Sequence, residues 1–159
     1  MRELSSGAEA KIFLNEKDVI VKKRIEKRYR TREIDNYLRI SRTKKESKII
    51  KKLEKIIPVP RIINVYENTI EMEYIKGIQL KKILDEHPEY AKIIGEKLSL
   101  MHDANIIHGD LTTSNMILSN NDIYFIDFGL SFESNKIEDK AVDIHLFKQS
   151  LESKHYRVF

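Results

Sequence analysis

Short apolar runs separated by turns come first along the chain, and helical spacing follows. Residues 4–24 read as three strands. Ala10-Lys11-Ile12-Phe13-Leu14 is one and Val19-Ile20-Val21-Lys22 another, with Asn15-Glu16-Lys17-Asp18 turning between them. Residues 25–32 are mostly basic and predict no core. A helical pattern starts near Thr31 or Asp35, either of which can cap it, and runs to about Ile56. Ile34 and Leu38 pair at i, i+4, and Ile49, Ile50 and Leu53 form the apolar stripe. Pro58 and Pro60 end this helix. Residues 61–66 and 69–75 predict a second hairpin around Glu67-Asn68. A short helix is expected over 80–84 and a longer one over 89–104, with Ala91, Ile94, Leu98 and Met101 on one face and Asn105 as its stop. Two apolar runs then flank Ser119-Asn120-Asn121-Asp122, a third hairpin turn. After a short loop, 136–153 is helical, with Ala141, Ile144, Leu146 and Phe147 apolar. There is no internal repeat and no low-complexity linker.

Composition narrows the class. A chain of 159 residues makes one or two small units, and 41% hydrophobic with 34% charged residues is a folded, water-facing composition. No apolar run approaches the roughly 20 residues of a membrane span, and the first residues lack a secretory pattern. The absence of cysteine excludes a disulfide scaffold and thiol chemistry and fits the cytoplasm. No Cys/His cluster suggests zinc, and four of the five histidines are expected on the surface. Charge is uneven: residues 22–55 hold 15 Lys and Arg against 5 Asp and Glu, so this third is strongly basic and the remainder acidic. The basic stretch can contact RNA phosphates or can simply be a solvated helix.

The chemistry concentrates in residues 106–129. Ile106-Ile107 runs into His108-Gly109-Asp110, and Asn115 follows Asp110 on the same loop. Asp127 ends the second run of the hairpin, before Phe128-Gly129. Turn chemistry alone accounts for Asn120 and Asp122 but not for an acid directly after Tyr124-Phe125-Ile126. Two carboxylates and an amide oxygen brought together in this way suit Mg²⁺. A second pair lies upstream. If Ile20 faces the core, strand alternation turns Lys22 inward too and Lys23 outward with Val21, although a basic strand end in solvent is the competing reading. Glu46 sits three and four positions before Ile49 and Ile50, on the inward helical stripe, where an acid needs a cation. Lys22 is the obvious one. Ser5-Ser6-Gly7-Ala8-Glu9-Ala10 is either an ordinary turn or a small-residue loop whose backbone N–H groups approach phosphates. Asp143, between Val142 and Ile144, either caps the loop backbone near Asp110 or is a solvated helix acid.

The spacing of Asp110, Leu111, Asn115, Asp127, Phe128 and Gly129 resembles the protein-kinase pattern HRD-L-xxx-N followed by DFG, with Gly109 in place of Arg. The resemblance implies an α+β, two-lobed kinase-like fold. A small antiparallel-sheet N-lobe with one long helix spans 1–75, and a reduced, mainly helical C-lobe spans 76–159. It implies ATP and Mg²⁺ as cofactors. Lys22, held by Glu46, contacts the α/β-phosphates; Asn115 and Asp127 hold Mg²⁺; Asp110 orients and deprotonates the attacking group. Gly7 covers the phosphates, with a loop that departs from GxGxxG. Met72-Glu73-Tyr74-Ile75-Lys76-Gly77 is where a kinase hinge lies, and the Glu73 carbonyl and Ile75 N–H are expected to read adenine.

Local strings narrow the likeness. Gly7-Ala8-Glu9-Ala10, Lys27-Arg28-Tyr29-Arg30, Arg42-Thr43 with Glu46, His108 to Asn115 as HGDLTTSN, and Glu138-Asp139-Lys140-Ala141-Val142-Asp143 resemble the KEOPS-complex kinase, PRPK-like family. That resemblance implies an ATP-dependent serine/threonine kinase or ATPase supporting threonylcarbamoyladenosine synthesis on tRNA. It implies a threonylcarbamoyl-transferase subunit docked mainly on the helical lobe and a small regulatory subunit on the N-lobe. Family members usually continue past the last helix into a further C-terminal region and a basic tail; this sequence stops at Phe159, either as a truncated chain or as an unusually short member. With Gly109 in place of Arg and little loop after Gly129, no activation-loop phosphoswitch is expected. Few protein substrates and mainly ATP hydrolysis on the docked partner are expected instead. Two other readings remain: a small-molecule phosphotransferase of the aminoglycoside/choline-kinase kind, which also uses HGD…N and a later Asp, and a non-catalytic kinase-fold scaffold that binds tRNA or a partner.

Overall fold

Five antiparallel strands carry the first half of the molecule in a computed structural model that describes residues 1–155. They are β1 (Arg2–Ser6), β2 (Ala10–Leu14), β3 (Val19–Arg24), β4 (Ile62–Tyr66) and β5 (Thr69–Glu73), in the order β1-β2-β3-β5-β4. β3 lies in the middle, with Lys22 opposite Ile12 on β2 and Ile70 on β5. A cation at the centre of a sheet is costly without a partner. The partner comes from α1 (Arg32–Leu53), which packs against β4 and β5.

The second half is smaller in sheet and richer in helix. It comprises β6 (Ile78–Gln79), a 3₁₀ turn at Leu80–Lys82, α2 (Tyr90–Asp103), β7 (Ile106–Ile107), a 3₁₀ turn at Thr113–Asn115, β8 (Met116–Ser119), β9 (Asp122–Phe125), β10 (Phe132–Glu133) and α3 (Ile137–Lys154). The two-lobed α+β architecture is therefore as the sequence predicts. Residues 156–159 of the expected helical lobe lie outside the described residues. Asn120 and Asn121 both have positive φ, 50° and 61°, which matches the twist of the β8–β9 hairpin. Asn105, at φ 58°, ends α2 as expected.

One apolar cluster runs through both halves. It joins Ile49 and Leu53 of α1 to Leu80, Ile94 and Met101, and onward to Phe125 and Phe128. Leu53 is fully buried, and truncating such a leucine to alanine costs about 2–5 kcal/mol.

Three expectations need correction. Only the second half of α1 follows the apolar stripe: Ile34 is 55% exposed, whereas Asp35 is buried. Its carboxylate accepts from Arg39 Nε at 2.7 Å and from the Lys27 backbone N–H at 3.1 Å, so ions rather than apolar packing seat the first turns. In α3, Ile144 faces solvent at 51% and Ala141 is exposed, while Leu146 and Phe147 are half-buried. The histidines differ most. His102 and His155 are buried along with His108, because each finds a polar partner inside the helical half.

Candidate active site

Between the halves lies a cleft made of two adjoining cavities. One, of about 560 Å³, is lined by Gly7, Arg24 and Asp110, among others. The other, of about 360 Å³, is lined by Ile20, Met72, Glu73, Ile75, Asn115 and Ile117, among others. Lys22, Glu46 and Asp127 line both. The polar and apolar walls thus sit at opposite ends of one space, joined by an ion cluster.

That cluster is tight. Lys22 Nζ donates to Glu46 Oε1 at 2.6 Å and to Asp127 Oδ1 at 2.7 Å. Arg24 Nη2 donates to Glu46 Oε2 at 2.5 Å. Lys22, Arg24 and Glu46 are all buried. Burial pulls the Lys22 pKa down, but the two carboxylates outweigh it and hold the ammonium above its ordinary value. Asp127 shows the converse: desolvation raises its pKa, and Lys22 draws it below the usual range. Val21 is buried while Lys23 is exposed, so both faces of β3 are covered at its middle. Arg24 was the residue sequence reasoning passed over. It obeys the same period-two rule that turns Lys22 inward, and that rule was the available signal.

The catalytic-loop candidate is braced from below. Asn115 Nδ2 donates to the Asp110 backbone oxygen and to its Oδ2, both at 2.9 Å. This commits the amide nitrogen; the Asn115 backbone oxygen accepts the Ile126 N–H at 3.0 Å, and the side-chain Oδ1 could hold a cation. His108 is fully buried; Nε2 lies 3.1 Å from the Ile126 carbonyl, and Nδ1 accepts the Asp110 N–H at 3.3 Å. Those partners require the neutral tautomer with hydrogen on Nε2. Burial lowers the His108 pKa accordingly. The ring packs against Phe128, with centroids 4.8 Å apart.

Asp143 resolves its two readings in favour of the cap. It is fully buried; Oδ1 accepts the Gly109 N–H at 3.0 Å, and Oδ2 accepts the His108 N–H and the His102 ring, both at 2.9 Å. Desolvation raises its pKa, but these donors hold it below the ordinary carboxylate value. Gly109 has φ 80°, and a Cβ there would meet the Leu130 carbonyl oxygen at 2.5 Å. The chain after Asp127 crosses too close for any side chain, which is why glycine stands at this position. Thr113 and His155 were not foreseen. Their side chains meet at 2.9 Å and tie the end of α3 to the loop, a contact too remote in sequence to signal itself.

All the candidates named from sequence therefore border this cleft. Gly7 lies at its polar end, where a Cβ would make only ordinary contact, 3.5 Å from the Ala10 carbonyl oxygen. Among the described residues, no cluster of three or more His, Cys, Asp or Glu forms a metal cage. Asp127 Oδ2 and the Asn115 oxygen instead suit Mg²⁺ arriving with a nucleotide, since Mg²⁺ takes one or two protein oxygens plus phosphates and water.

Comparison with known proteins gives the family and the fold. The RIO domain family model matches residues 11–144. The KEOPS complex subunit Bud32 of Pyrococcus abyssi is 44% identical, over 100% of this chain and 80% of its own. A probable serine/threonine-protein kinase BUD32 homolog of Archaeoglobus fulgidus is also 44% identical, over 94% of this chain and 75% of its own. Among solved structures, the Rio2 kinase of Chaetomium thermophilum, in an ADP/Mg²⁺-phosphoaspartate complex, superposes with a TM-score of 0.76 at 21% identity. This covers 96% of this chain but only 55% of Rio2, so the likeness is one of fold. With the match spanning both halves of the cleft, the chain belongs to the RIO-domain family and, within it, to the Bud32 family.

Proposed function

We propose that this chain is the ATP-dependent phosphotransferase or ATPase of a KEOPS complex, acting in threonylcarbamoyladenosine modification of tRNA. The observation that carries this reading is Lys22 Nζ held between Glu46 and Asp127 at 2.6 and 2.7 Å, in a cleft that also contains Asp110 and Asn115. A Methanosarcina acetivorans protein named as a probable bifunctional tRNA threonylcarbamoyladenosine biosynthesis protein is 38% identical over 96% of this chain, which forms 28% of that larger protein. Its name supports the assignment to tRNA modification, and the name of the Pyrococcus protein supports membership of a KEOPS complex.

In this reading adenine enters the apolar cavity and is read by the Glu73 carbonyl and the Ile75 N–H. Lys22, fixed by Glu46 and Arg24, binds the α- and β-phosphates, and the backbone around Gly7 covers the chain of phosphates. Asn115 and Asp127 hold Mg²⁺, which when bound neutralises the charge on the triphosphate. Asp110 orients the attacking water or hydroxyl and takes its proton as oxygen bonds to the γ-phosphorus and the bond to the β-phosphate oxygen breaks. Positioning and charge stabilisation supply most of the acceleration in such a transfer.

Only Leu130 and Ser131 separate Gly129 from β10. That leaves no long segment to carry a regulatory phosphate or a peptide substrate, and it favours ATP hydrolysis on a docked partner. Exposed Ile137, Val142 and Ile144 on α3 support docking of the transferase subunit on the helical lobe. Exposed Ile63 and Tyr66 on the edge strand β4 support a small regulatory subunit on the N-lobe. Among the described residues no helix is long and apolar enough to cross a membrane, and the cytoplasm is the proposed site of action. The test is ATP turnover with and without the purified transferase subunit and tRNA. Stimulation is expected, with losses of about 10²–10³-fold in Asp110→Ala and Asp127→Ala. Absence of stimulation, or full complex activity in Asp127→Ala, overturns the reading, the latter in favour of a scaffold.

A further inference from the structure

A second cavity, of about 770 Å³, lies on the other face of α1 and takes no part in the chemistry above. Its wall is Lys48, Lys51, Lys52 and Lys55, and Ala104 and Ile106 contribute to its apolar floor. Lys48, Lys51 and Lys52 fall at i, i+3 and i+4 on the last turns of α1, and Lys55 follows in the turn just past its end at Leu53. Asn105 Oδ1, next to the lining residue Ala104, accepts from Lys140 Nζ at 3.3 Å. Glu54, the acid nearest along α1, is turned away and accepts the Ile62 N–H at 2.7 Å.

One anion already sits against this wall. Glu133 on β10 places Oε2 2.6 Å from Lys52 Nζ and Oε1 3.7 Å from Lys48 Nζ. Lys52 in particular holds its carboxyl below the usual range. Two lysines thus converge on one carboxylate, while Lys51 and Lys55 have no ion pair among the described residues. All the Lys–Glu133 partners are substantially exposed, so the pairs are weak and exchangeable.

We infer that this groove is a seat for the phosphodiester backbone of RNA, separate from the ATP cleft, and that Glu133 is the internal anion which the backbone displaces. The inference rests on the proposed role in tRNA modification and narrows the basic 22–55 stretch to the C-terminal end of α1 and the turn after it. Lysines serve such a site as point charges along a run of phosphates, with no reading of base sequence. The displaced group matters because β10 follows Asp127-Phe128-Gly129 closely, and Lys45, beside Glu46, lies 5.8 Å over the Phe132 ring.

The experiment is fluorescence anisotropy of end-labelled, unmodified tRNA against the full chain across a salt series, with melting curves to certify each variant's fold. Lys51→Glu with Lys55→Glu is expected to weaken binding by about tenfold or more and to lower the slope of log affinity against log salt by about 2. Glu133→Gln is expected to tighten binding by about 3–10-fold, whereas Glu89→Gln, at an acid paired with His87 on the α2 side, changes it less than about twofold. Folded lysine variants that bind as the wild type does, or a Glu133→Gln result no different from the Glu89 control, overturn the proposal. So does displacement of tRNA by polyglutamate at equal charge, which makes the groove a seat for an acidic protein segment. Wild-type ATP turnover is read in parallel with the purified transferase subunit and tRNA added. Its absence defeats the phosphotransferase reading and leaves the groove result intact.

Discussion

Two carboxylates, Glu46 and Asp143, are as buried as the leucines around them, and they are satisfied in opposite ways. Glu46 faces two full cations, Lys22 and Arg24, across the gap between β3 and α1. Asp143 faces two backbone N–H groups and a histidine, all on the segment that leads into Asp110. The first arrangement is a balance of charges, and one of its members, Lys22, also reaches Asp127 on the other side of the cleft. A nucleotide triphosphate can enter that balance because it offers Lys22 another anion. The second arrangement is a set of hydrogen bonds that fixes backbone and offers nothing to a ligand. The N-lobe acid positions a movable charge, and the C-lobe acid holds a loop still.

Removing each acid separates the two roles. Glu46→Ala should be the more damaging. Lys22 keeps Asp127, but among the described residues no other acid pairs with Arg24, and an uncompensated buried charge costs about 3–5 kcal/mol. Urea unfolding should show the loss, and the KM for ATP should rise in whatever fraction stays folded. A variant as stable as the wild type would mean that Arg24 escapes to water and that the cluster is not a closed balance. Asp143→Asn should cost less, about 1–3 kcal/mol, since one carbonyl oxygen still accepts while the new amide confronts a donor. Here turnover should fall with the KM for ATP unchanged, because the displaced element carries Asp110 and no part of the apolar cavity lined by Met72, Glu73 and Ile75. A rise in KM equal to that of Glu46→Ala would erase the distinction.

How far the two sites could be read in advance follows the same division. Asp110, Asn115 and Asp127 sit in one stretch with fixed spacing, and Lys22 and Glu46 are charges on otherwise apolar periodicities, so each stood out. Arg24 carried the same period-two signal and was hidden by two basic neighbours, Lys22 and Lys23. The first turns of α1 misled because Ile34 and Leu38 imitate an apolar face, while Asp35, with Lys27 and Arg39, does the seating. Asp143 could not be settled from local sequence, since its partners lie 34 and 35 residues upstream on the loop and at His102. His155 meeting Thr113 is a contact of the same kind, 42 residues apart. Burial of a polar group depends on what folds over it, and no periodicity records that.

The smallest effect should appear in pH, and it should fall on one site only. His108 is neutral and fully buried; Asp143, Asp127 and Asp110 favour its protonation, and desolvation outweighs them, so its folded pKa lies below the ordinary 6.5. The unfolded chain then binds the proton first as pH falls. The stability this histidine contributes is complete above about 6.5 and is lost as pH drops through the window between the unfolded and folded values, by at most about 1.4 kcal/mol per pH unit. Asp143 and Asp127 are depressed from 3.8, so their contributions disappear only below that value; Lys22 is raised from 10.5, so its contribution is lost only at high pH. Between pH 7.5 and 5, His108 should therefore make unfolding free energy decline. His108→Gln, which has no titrating group, should flatten the profile there, while Glu46→Ala should lower it and leave its slope. An unchanged slope in His108→Gln would mean that the proton enters elsewhere, and the picture of a neutral histidine under the Asp110 loop would fail.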